Sequence, residues 1–369
     1  RRMVLNTDAL LSYGWKPFFI QQCQLDEWDW LVPARVLSVH RDRAQVLSPE
    51  GETTLKMGKS DAPLSTWLTV GDWVLAEAKS DCLWLHRVLE RSSLLRRQAA
   101  GDQTQQQLLA ANVDLMLLVM SLNQDFNIHR AQRYQIVAED AGVEPVVVLT
   151  KADLIDDPQP QLHMIEQQLG MSAVAVNGLD WASVQAQLAP WLRSGDTAVL
   201  LGSSGVGKST LTNALLNTEA MFTQDIREDD AKGRHTTTGR YLLQSPSGIN
   251  LIDTPGMREV QLWVEEGQVA SVFDDIEELA TACRFRNCQH QPDQPGCAIQ
   301  AALVAGDLSE DRWQHYQHLL KEEAHHLRQA QGVAAQREHY RSFSKMVKAN
   351  PSEKLAIRKQ HLKEGKKRS

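Results

Sequence analysis

Residues 198–210 read AVLLGSSGVGKST, an apolar strand-like run that leads into three glycines and then Lys208, Ser209 and Thr210. Glycines let backbone N–H groups curl around phosphate oxygens, and the start of the following helix adds its dipole. In such a loop the lysine reaches the β- and γ-phosphates and the serine ligates Mg²⁺. The stretch therefore predicts a strand, a phosphate-binding loop and a helix within an α/β domain.

We expect every residue of the loop, and not only one or two of its side chains, to contact the nucleotide. The predicted nucleotide contacts are Gly202, Ser203, Ser204, Gly205, Val206, Gly207, Lys208, Ser209 and Thr210. We count Lys208 among the catalytic residues as well, because it reaches the β- and γ-phosphates.

A second motif, Asp253-Thr-Pro-Gly256, follows an apolar run downstream of the loop. The carboxylate of Asp253 suits the outer coordination of Mg²⁺, and the Gly256 N–H suits the γ-phosphate. A motif of four residues is weak evidence for a nucleotide site when it stands alone. Its position downstream of a phosphate loop makes that evidence strong.

Between these motifs lies the polar stretch Arg234-His235-Thr236-Thr237-Thr238. A threonine here can close over Mg²⁺ and the γ-phosphate as a switch segment. We expect Thr236 to contact the nucleotide and Thr237 to ligate the metal and act in catalysis. Three consecutive threonines leave the choice of ligand open, and a solvated polar loop is the alternative interpretation.

The base is predicted from Thr150-Lys151-Ala152-Asp153, which follows the apolar run 146–149. A carboxylate can accept both the ring N–H and the exocyclic amino group of guanine, and adenine has neither donor on that edge. Asp153 is therefore the expected specificity residue, Lys151 can lie over the base plane, and Thr150 completes the motif. An ordinary strand-to-helix loop is the alternative, and the phosphate loop in the same domain argues against it.

Around the motifs, apolar strand-like runs alternate with helix-like segments, as in a parallel sheet covered on both faces. The guanine motif precedes the phosphate loop, the reverse of the order in most small GTPases, and only a circular permutation gives this order within one sheet. Strands are expected at about 113–121, 146–150, 173–176, 198–202 and 249–253, and helices at about 129–141, 160–170, 181–193 and 208–217.

Residues 1–96 are typical of a small β domain, with short strand-like runs separated by turn residues. Such a pattern suggests a barrel like the OB-fold, which often binds nucleic acid. Polar, glutamine-rich residues 91–107 predict a linker. Six of the ten tryptophans lie in the β domain, where they are either base-stacking platforms or barrel core: Trp15, Trp28, Trp30, Trp67, Trp73 and Trp84.

Three of the five cysteines lie close together beside a histidine, as Cys283-x₄-Cys288-x-His290-x₆-Cys297. Three thiolates and one imidazole make a closed tetrahedral zinc site, which is structural rather than catalytic. A reduced cluster without metal is the alternative. The segment after about 265 is expected to be helical, with helical spacing at 308–327 and 336–346.

Charge is distributed unevenly along the 369 residues. The net charge is −7, but residues 345–369 carry nine Lys or Arg and two acids, which leaves −14 on the rest. A basic tail on an acidic body suggests a polyanionic partner, with a solvated tail as the alternative. No apolar run approaches the roughly 20 residues of a membrane span. With no secretion signal visible, we expect a cytoplasmic protein that is not bound to a membrane.

The chain resembles the ribosome-small-subunit-dependent circularly permuted GTPases of the RsgA/YjeQ type. The resemblance covers nearly the whole chain and is carried by Ala111-Asn-Val-Asp114, Gly233–Thr238, and the nucleotide and cysteine motifs above. Departures are Thr150 in place of the family's usual Asn, Asn177-Gly178 in place of a serine-containing loop, and one more residue in the last cysteine gap. These departures suggest a diverged paralogue.

The resemblance implies three domains: an OB-like barrel at 1–96, a permuted GTPase domain at 97–264, and a zinc-binding helical domain with the basic tail at 265–369. It implies a GTPase that binds GTP or GDP with Mg²⁺, holds one zinc and is stimulated by the small ribosomal subunit. We expect the protein to be a monomer. Its partners would be the small ribosomal subunit and its rRNA, and it would assist late maturation of that subunit. Two alternatives stay open: an RNA-binding assembly factor with a slow or inactive nucleotide switch, and an ATP-dependent factor.

Met257 follows Gly256 where Ras-like enzymes have a water-orienting glutamine, and methionine cannot orient water. His235 in the switch is the candidate replacement, supported by the family resemblance. A purely structural histidine is the alternative.

Overall fold

The computed structural model describes residues 8–58, 63–99, 102–123, 125–203, 205–218, 240–253, 269, 272–292 and 294–324. The chain divides into two compact units, residues 1–98 with 106–278, and residues 99–105 with 279–369. The first unit contains a barrel and an α/β sheet, and the second contains the cysteine cluster. The division into three domains at 96/97 and 264/265 stays a prediction.

The predicted β domain is a closed five-stranded barrel with the strand order β1-β2-β3-β5-β4. Two short helices, α1 (Asp8–Leu11) and α2 (Pro17–Ile20), precede it and were not predicted. Trp73 is fully buried and Trp15 lies 4.7 Å from it between ring centroids, so these two tryptophans are core, whereas Trp30 is 48% exposed. The strands are β1 (Leu31–Val39), β2 (Arg43–Ser48), β3 (Gly51–Lys56), β4 (Trp73–Lys79) and β5 (Cys82–Val88).

The linker predicted at 91–107 is wrong, because this segment contains β6 (Leu94–Ala99) and most of β7 (Asp102–Ala111), which pair as a two-stranded sheet. Pairing satisfies the backbone N–H and C=O groups of a strand whatever its side chains are. The polar side chains of this segment therefore do not prevent it from forming strands. Leu95 and Leu109 are each 1% exposed and anchor the two strands in the core.

The α/β part is a six-stranded sheet with the order β10-β9-β8-β11-β13-β12, and all neighbours are parallel except β12 and β13. The five predicted strands and four predicted helices are confirmed, and the antiparallel edge strand β12 is an addition. The strands are β8 (Leu115–Ser121), β9 (Glu144–Thr150), β10 (Ser172–Ala175), β11 (Thr197–Leu201), β12 (Tyr241–Gln244) and β13 (Asn250–Asp253). The helices are α3 (Ile128–Ala141), α4 (Gln159–Leu169), α5 (Trp181–Leu188) and α6 (Lys208–Leu216).

Strand β8 is apolar along its whole length because both of its faces are buried. Met116 and Leu118 belong to one hydrophobic cluster, and Leu117 and Val119 to another on the opposite face. A central parallel strand is buried on both faces, so it reads as a continuous apolar run.

The Ala111–Asp114 motif joins the barrel to the sheet through hydrogen bonds. Asn112 adopts a left-handed conformation with φ 55°. Its side chain accepts from the Ser92 N–H at 2.9 Å and donates to the Gly71 carbonyl at 3.0 Å. The Asp114 carboxylate accepts from Lys16 Nζ at 2.6 Å and from the Thr197 N–H at 2.9 Å.

Three helices flank the cysteine cluster along the chain: α7 (Asp274–Thr281), α8 (Ala298–Ala305) and α9 at 310–324. The helix predicted at 308–327 is confirmed over the described residues, and the one at 336–346 lies outside them. In the part of the chain that the structure describes, no helix combines the length and the apolar character that crossing a membrane requires.

Candidate nucleotide site and metal centre

Three of the predicted nucleotide motifs begin at the carboxyl ends of parallel strands, and the polar stretch 234–238 lies outside the described residues. The guanine motif begins with the last residue of β9, the phosphate loop follows β11, and Asp253 is the last residue of β13. Parallel strands end at the same edge of a sheet, where open α/β folds bind their ligands. The sheet order places β8 and β11 side by side, with β9 and β13 as their outer neighbours.

The phosphate loop requires glycine at two positions. Gly202 has φ 153°, and a Cβ there would clash with the Val119 carbonyl of β8. Gly207 has φ 96° and is the N-cap of α6. The loop therefore lies close against β8 and leads directly into a helix N-terminus, the geometry that concentrates N–H groups on an anion.

Lys208 is the first residue of α6 and turns back over the loop. Its Nζ donates to the Gly202 carbonyl at 2.7 Å and to the Ser203 carbonyl. Ser209 and Thr210 are half-buried on the first turn of the helix. The ammonium group thus lies at the loop backbone that is predicted to surround the phosphates.

The guanine motif lies against the phosphate loop. Thr150 is 2% exposed, and its hydroxyl donates to the Val206 carbonyl at 2.5 Å. Lys151 is left-handed with φ 60°, and the 3₁₀ turn Ala152–Leu154 that follows leaves Asp153 exposed to a ligand. The fold therefore brings the predicted guanine motif and the phosphate loop into direct contact.

The loop after β10 completes this side of the site. The Ala152 N–H donates to the Val176 carbonyl at 3.2 Å, which joins the guanine motif to that loop. A Cβ at Gly178 would lie 3.4 Å from the Thr210 methyl of α6. Asn177 and Gly178, noted in the sequence only as a departure from the family, thus border the nucleotide motifs.

Several predicted site residues lie outside the described residues: Ser204, His235, Thr236, Thr237 and Gly256. Asp253 is described as the end of β13, where its backbone pairs with Tyr241. Two backbone carbonyls near the end of β8 were not predicted from the sequence. The Met120 carbonyl accepts from the Thr150 hydroxyl, and the Val119 carbonyl leaves no room for a side chain at position 202. Backbone carbonyls have no side-chain signature, so no pattern in the sequence marks them.

The cysteine cluster brings its four donors together. The His290 Nδ1 lies 3.6 Å from the Cys283 Sγ and 3.5 Å from the Cys297 Sγ, and the two sulfurs are 4.0 Å apart. With Cys288, all four ligand atoms lie within 4.8 Å of one another. Tetrahedral zinc with a Zn–S bond of about 2.3 Å separates its sulfurs by about 3.8 Å, so the donor set fits this metal.

Backbone geometry in the cluster favours the charged form of the Cys283 thiol. Burial raises the pKa of the Cys283 thiol, but N–H groups of Ala298 and Ile299 directed at its sulfur lower it, and the net direction is down. His290 is left-handed with φ 53°, and its carbonyl accepts from the Gln300 side chain at 2.8 Å. The edge of the Trp313 ring packs against the imidazole at 5.9 Å between centroids.

Comparison with known proteins points to one family. The model of the family described as RsgA GTPase matches residues 88–263. A Vibrio parahaemolyticus protein named small ribosomal subunit biogenesis GTPase RsgA 2 is 43% identical over 353 residues, covering 95% of each chain. An Opitutus terrae protein named small ribosomal subunit biogenesis GTPase RsgA is 40% identical and covers 89% of this chain and 94% of its own.

Solved structures agree on the fold. The crystal structure of YjeQ from Thermotoga maritima matches with a TM-score of 0.57 at 24% identity, over 80% of this chain and 99% of that one. The crystal structure of YloQ, described as a circularly permuted GTPase, matches with a TM-score of 0.54 at 23% identity, over 80% of this chain and 95% of that one. The permuted order inferred from the motifs is thus confirmed.

Proposed function

Because the chain belongs to the RsgA GTPase family, we propose that it hydrolyses GTP while bound to the small ribosomal subunit and assists the late maturation of that subunit. The names of its relatives from Vibrio and Opitutus support the partner, and the chain spans nearly their whole length.

The observation that carries the nucleotide part is the contact between the two recognition loops. Thr150 of the guanine motif reaches Val206 of the phosphate loop, so base and phosphates of one nucleotide can be held together. Asp153 would accept from guanine, Lys151 would cover the base, and Lys208 would neutralise the β- and γ-phosphates. Gly202–Thr210 would supply the surrounding N–H groups.

Magnesium would complete the phosphate site. Ser209 on the first turn of α6 and Thr237 of the switch would hold it, with Asp253 in its outer coordination and Thr236 and Gly256 near the γ-phosphate. A hydroxyl and a carboxylate are oxygen donors of the kind Mg²⁺ prefers, and Ser209 directly follows the phosphate-reading lysine. When bound, the metal neutralises charge on the phosphates.

The rest of the proposal concerns compartment and assembly. rRNA would be the direct partner on the subunit, the protein would act in the cytoplasm as a monomer, and Cys283, Cys288, His290 and Cys297 would hold one structural zinc. The basic residues at 345–369 support an anionic partner, and the donor distances of the cluster support the metal.

A single-turnover GTP hydrolysis assay with and without purified small subunits tests the function. We expect slow hydrolysis alone and faster hydrolysis with subunits. Binding to the subunit with no stimulation would instead favour an RNA-binding assembly factor with an inactive switch. The tie made by Thr150 weakens that alternative, because the departure from Asn leaves the two loops connected.

His235 is the proposed water-positioning residue, since Met257 cannot orient water. His235→Ala should lower subunit-stimulated turnover by about 10²-fold while GTP affinity stays within about twofold, as expected for a group acting on the attacking water. The matched control is His163→Ala, on the exposed face of α4. Full stimulated turnover in His235→Ala would remove the histidine from the mechanism.

A further inference from the structure

Exposed apolar side chains are concentrated in the segment that leads into the first barrel strand. Four of the ten large apolar side chains that are exposed among the described residues lie within residues 17–30. They are Phe18 at 42%, Ile20 at 43%, Leu25 at 91% and Trp30 at 48% exposure. One exposed leucine needs no explanation, but such a concentration is typical of an interaction surface.

The other side of this segment is held firmly by the protein. Phe19 is 2% exposed and stacks on Trp15, with 5.9 Å between the ring centroids. The Arg87 guanidinium of β5 donates to both carboxylate oxygens of Glu27 at 2.8 Å and to the Gln22 carbonyl at 2.6 Å. The exposed side chains therefore stand on an ordered backbone, and a partner would not have to order it on binding.

The charge of the segment is negative. Residues 17–30 contain three acids and no Lys, Arg or His. One of the acids is paired with Arg87. The other two are Asp26, which directly follows the exposed leucine, and Asp29, which directly precedes the exposed tryptophan. Both aspartates are exposed, so the surface combines apolar side chains with negative charge.

This combination selects one kind of partner. A polyanion such as rRNA would be repelled by the two aspartates. A second copy of the chain would place the same acidic surface against itself, which is unfavourable for the same reason. A basic polypeptide segment with apolar side chains fits: the carboxylates would attract its charge, and Leu25 and Trp30 would bury its apolar atoms.

We propose that residues 17–30 form a docking surface for a basic segment of a small-subunit protein, in addition to the contacts of the chain with rRNA. The inference rests on the proposed function, because it takes the partner from the small subunit. Leu25 and Trp30 are the apolar anchors of this surface, and Asp26 and Asp29 provide its charge complementarity.

Reversal of charge distinguishes a protein from RNA at this surface. Asp26→Lys combined with Asp29→Lys should weaken binding to purified small subunits by about tenfold, because two attractive charges become repulsive for a basic partner. If rRNA faced the surface, the same variant would bind more tightly and its affinity would depend more steeply on salt. The control, Asp26→Glu combined with Asp29→Glu, keeps the charge and should bind within about twofold of the wild type. Co-sedimentation titrations measure all three.

Loss of the anchors tests the apolar part of the surface. Leu25→Ser combined with Trp30→Ser should weaken subunit binding by about tenfold or more, because buried aromatic and aliphatic anchors dominate such interfaces. Both side chains are exposed, so the thermal unfolding midpoint and the GTP turnover without subunits should match the wild type. Met164→Ser, an exposed apolar position on α4, is the control and should leave subunit binding unchanged.

A photocross-linker identifies the occupant directly. The full chain with p-benzoylphenylalanine in place of Leu25, irradiated with purified small subunits and then treated with RNase, should become linked to a basic protein of the subunit. A cross-link to rRNA, to a second copy or to residues 345–369 of the same chain would overturn the inference, as would the absence of any cross-link.

The binding data separate this inference from the proposed function. A wild-type chain that does not co-sediment with small subunits would contradict both. Wild-type binding that is unchanged in the lysine and serine variants, or tighter in the lysine variant, would contradict the docking surface alone.

Discussion

At the scale of single residues, Thr150 and Asp153 of the predicted guanine motif differ in their exposure. Asp153 is exposed on a short 3₁₀ turn, whereas Thr150, three residues earlier, is buried against the phosphate loop. Lys151 between them is left-handed with φ 60°, and Thr150 on one side of it is buried while Asp153 beyond it is exposed to solvent. Within this motif of four residues, Asp153 is therefore the side chain that a base could reach.

Asp153→Asn should change the base selectivity of the site from guanine to xanthine. The amide can donate to the xanthine oxygen that replaces the guanine amino group, whereas it cannot accept both guanine donors. We expect GDP affinity to fall about 10- to 100-fold and XDP affinity to rise. Competition assays with both nucleotides measure the exchange, and Asp156→Asn, a nearby exposed position, is the control. Unchanged GDP affinity would assign base reading to another residue.

At the scale of elements, the cysteine loop lacks the apolar content to order itself. Only Cys297 of the four donors is buried, and the residues between Cys283 and Cys297 are mostly exposed or half-buried. A metal that replaces the missing hydrophobic core is the usual solution for such a segment. Gly296 also matters here, because a side chain at φ 72° would crowd the Arg284 side chain.

Cys288→Ser should abolish zinc binding, because serine is a poor zinc ligand and three donors hold the metal weakly. Atomic emission spectrometry should find about one zinc per wild-type chain and almost none in the variant. Amide exchange across 283–305 should rise in parallel. Cys82→Ser, on barrel strand β5 and outside the cluster, should change neither quantity. Full zinc content in Cys288→Ser would exclude this ligand set.

At the scale of the whole molecule, charge is divided between an acidic body and a basic end. Residues 345–369 carry a net +7 against −14 on the preceding residues. Attraction of such an end to RNA releases counterions and therefore weakens as salt rises. The body itself would be repelled by RNA unless local basic surfaces oppose its net charge.

Exchanging Lys363, Lys366 and Lys367 for Gln should weaken binding to small subunits most at low salt. The slope of log affinity against log salt should decrease in magnitude by about 2 to 3, because each of the three lost phosphate contacts contributes about 0.7 to 0.9 to that slope. The matched control exchanges the same three lysines for Arg, which keeps the charge. Co-sedimentation across a salt series measures both. An unchanged slope in the Gln variant would mean that the basic end does not contact RNA.

The sequence by itself determined the class of domain and the order of its motifs, and it identified the three cysteines and the histidine that the fold brings together. These depend on local patterns: continuous apolar runs mark buried parallel strands, and glycines, a lysine and cysteines have few substitutes where the chemistry needs them. The fold class was predicted for this reason from residues 113–253, with strand ends displaced by only a few residues.

Only the tertiary structure decided how distant segments meet. The strands β6 and β7 form because pairing satisfies their backbone, although their side chains indicate a linker. Asn112 joins barrel and sheet through hydrogen bonds to Ser92 and Gly71. Thr150 donates a hydrogen bond to the carbonyl of Val206, 56 residues away in the chain. In each case the partner is a backbone group made available by folding, and backbone groups are the same in every sequence.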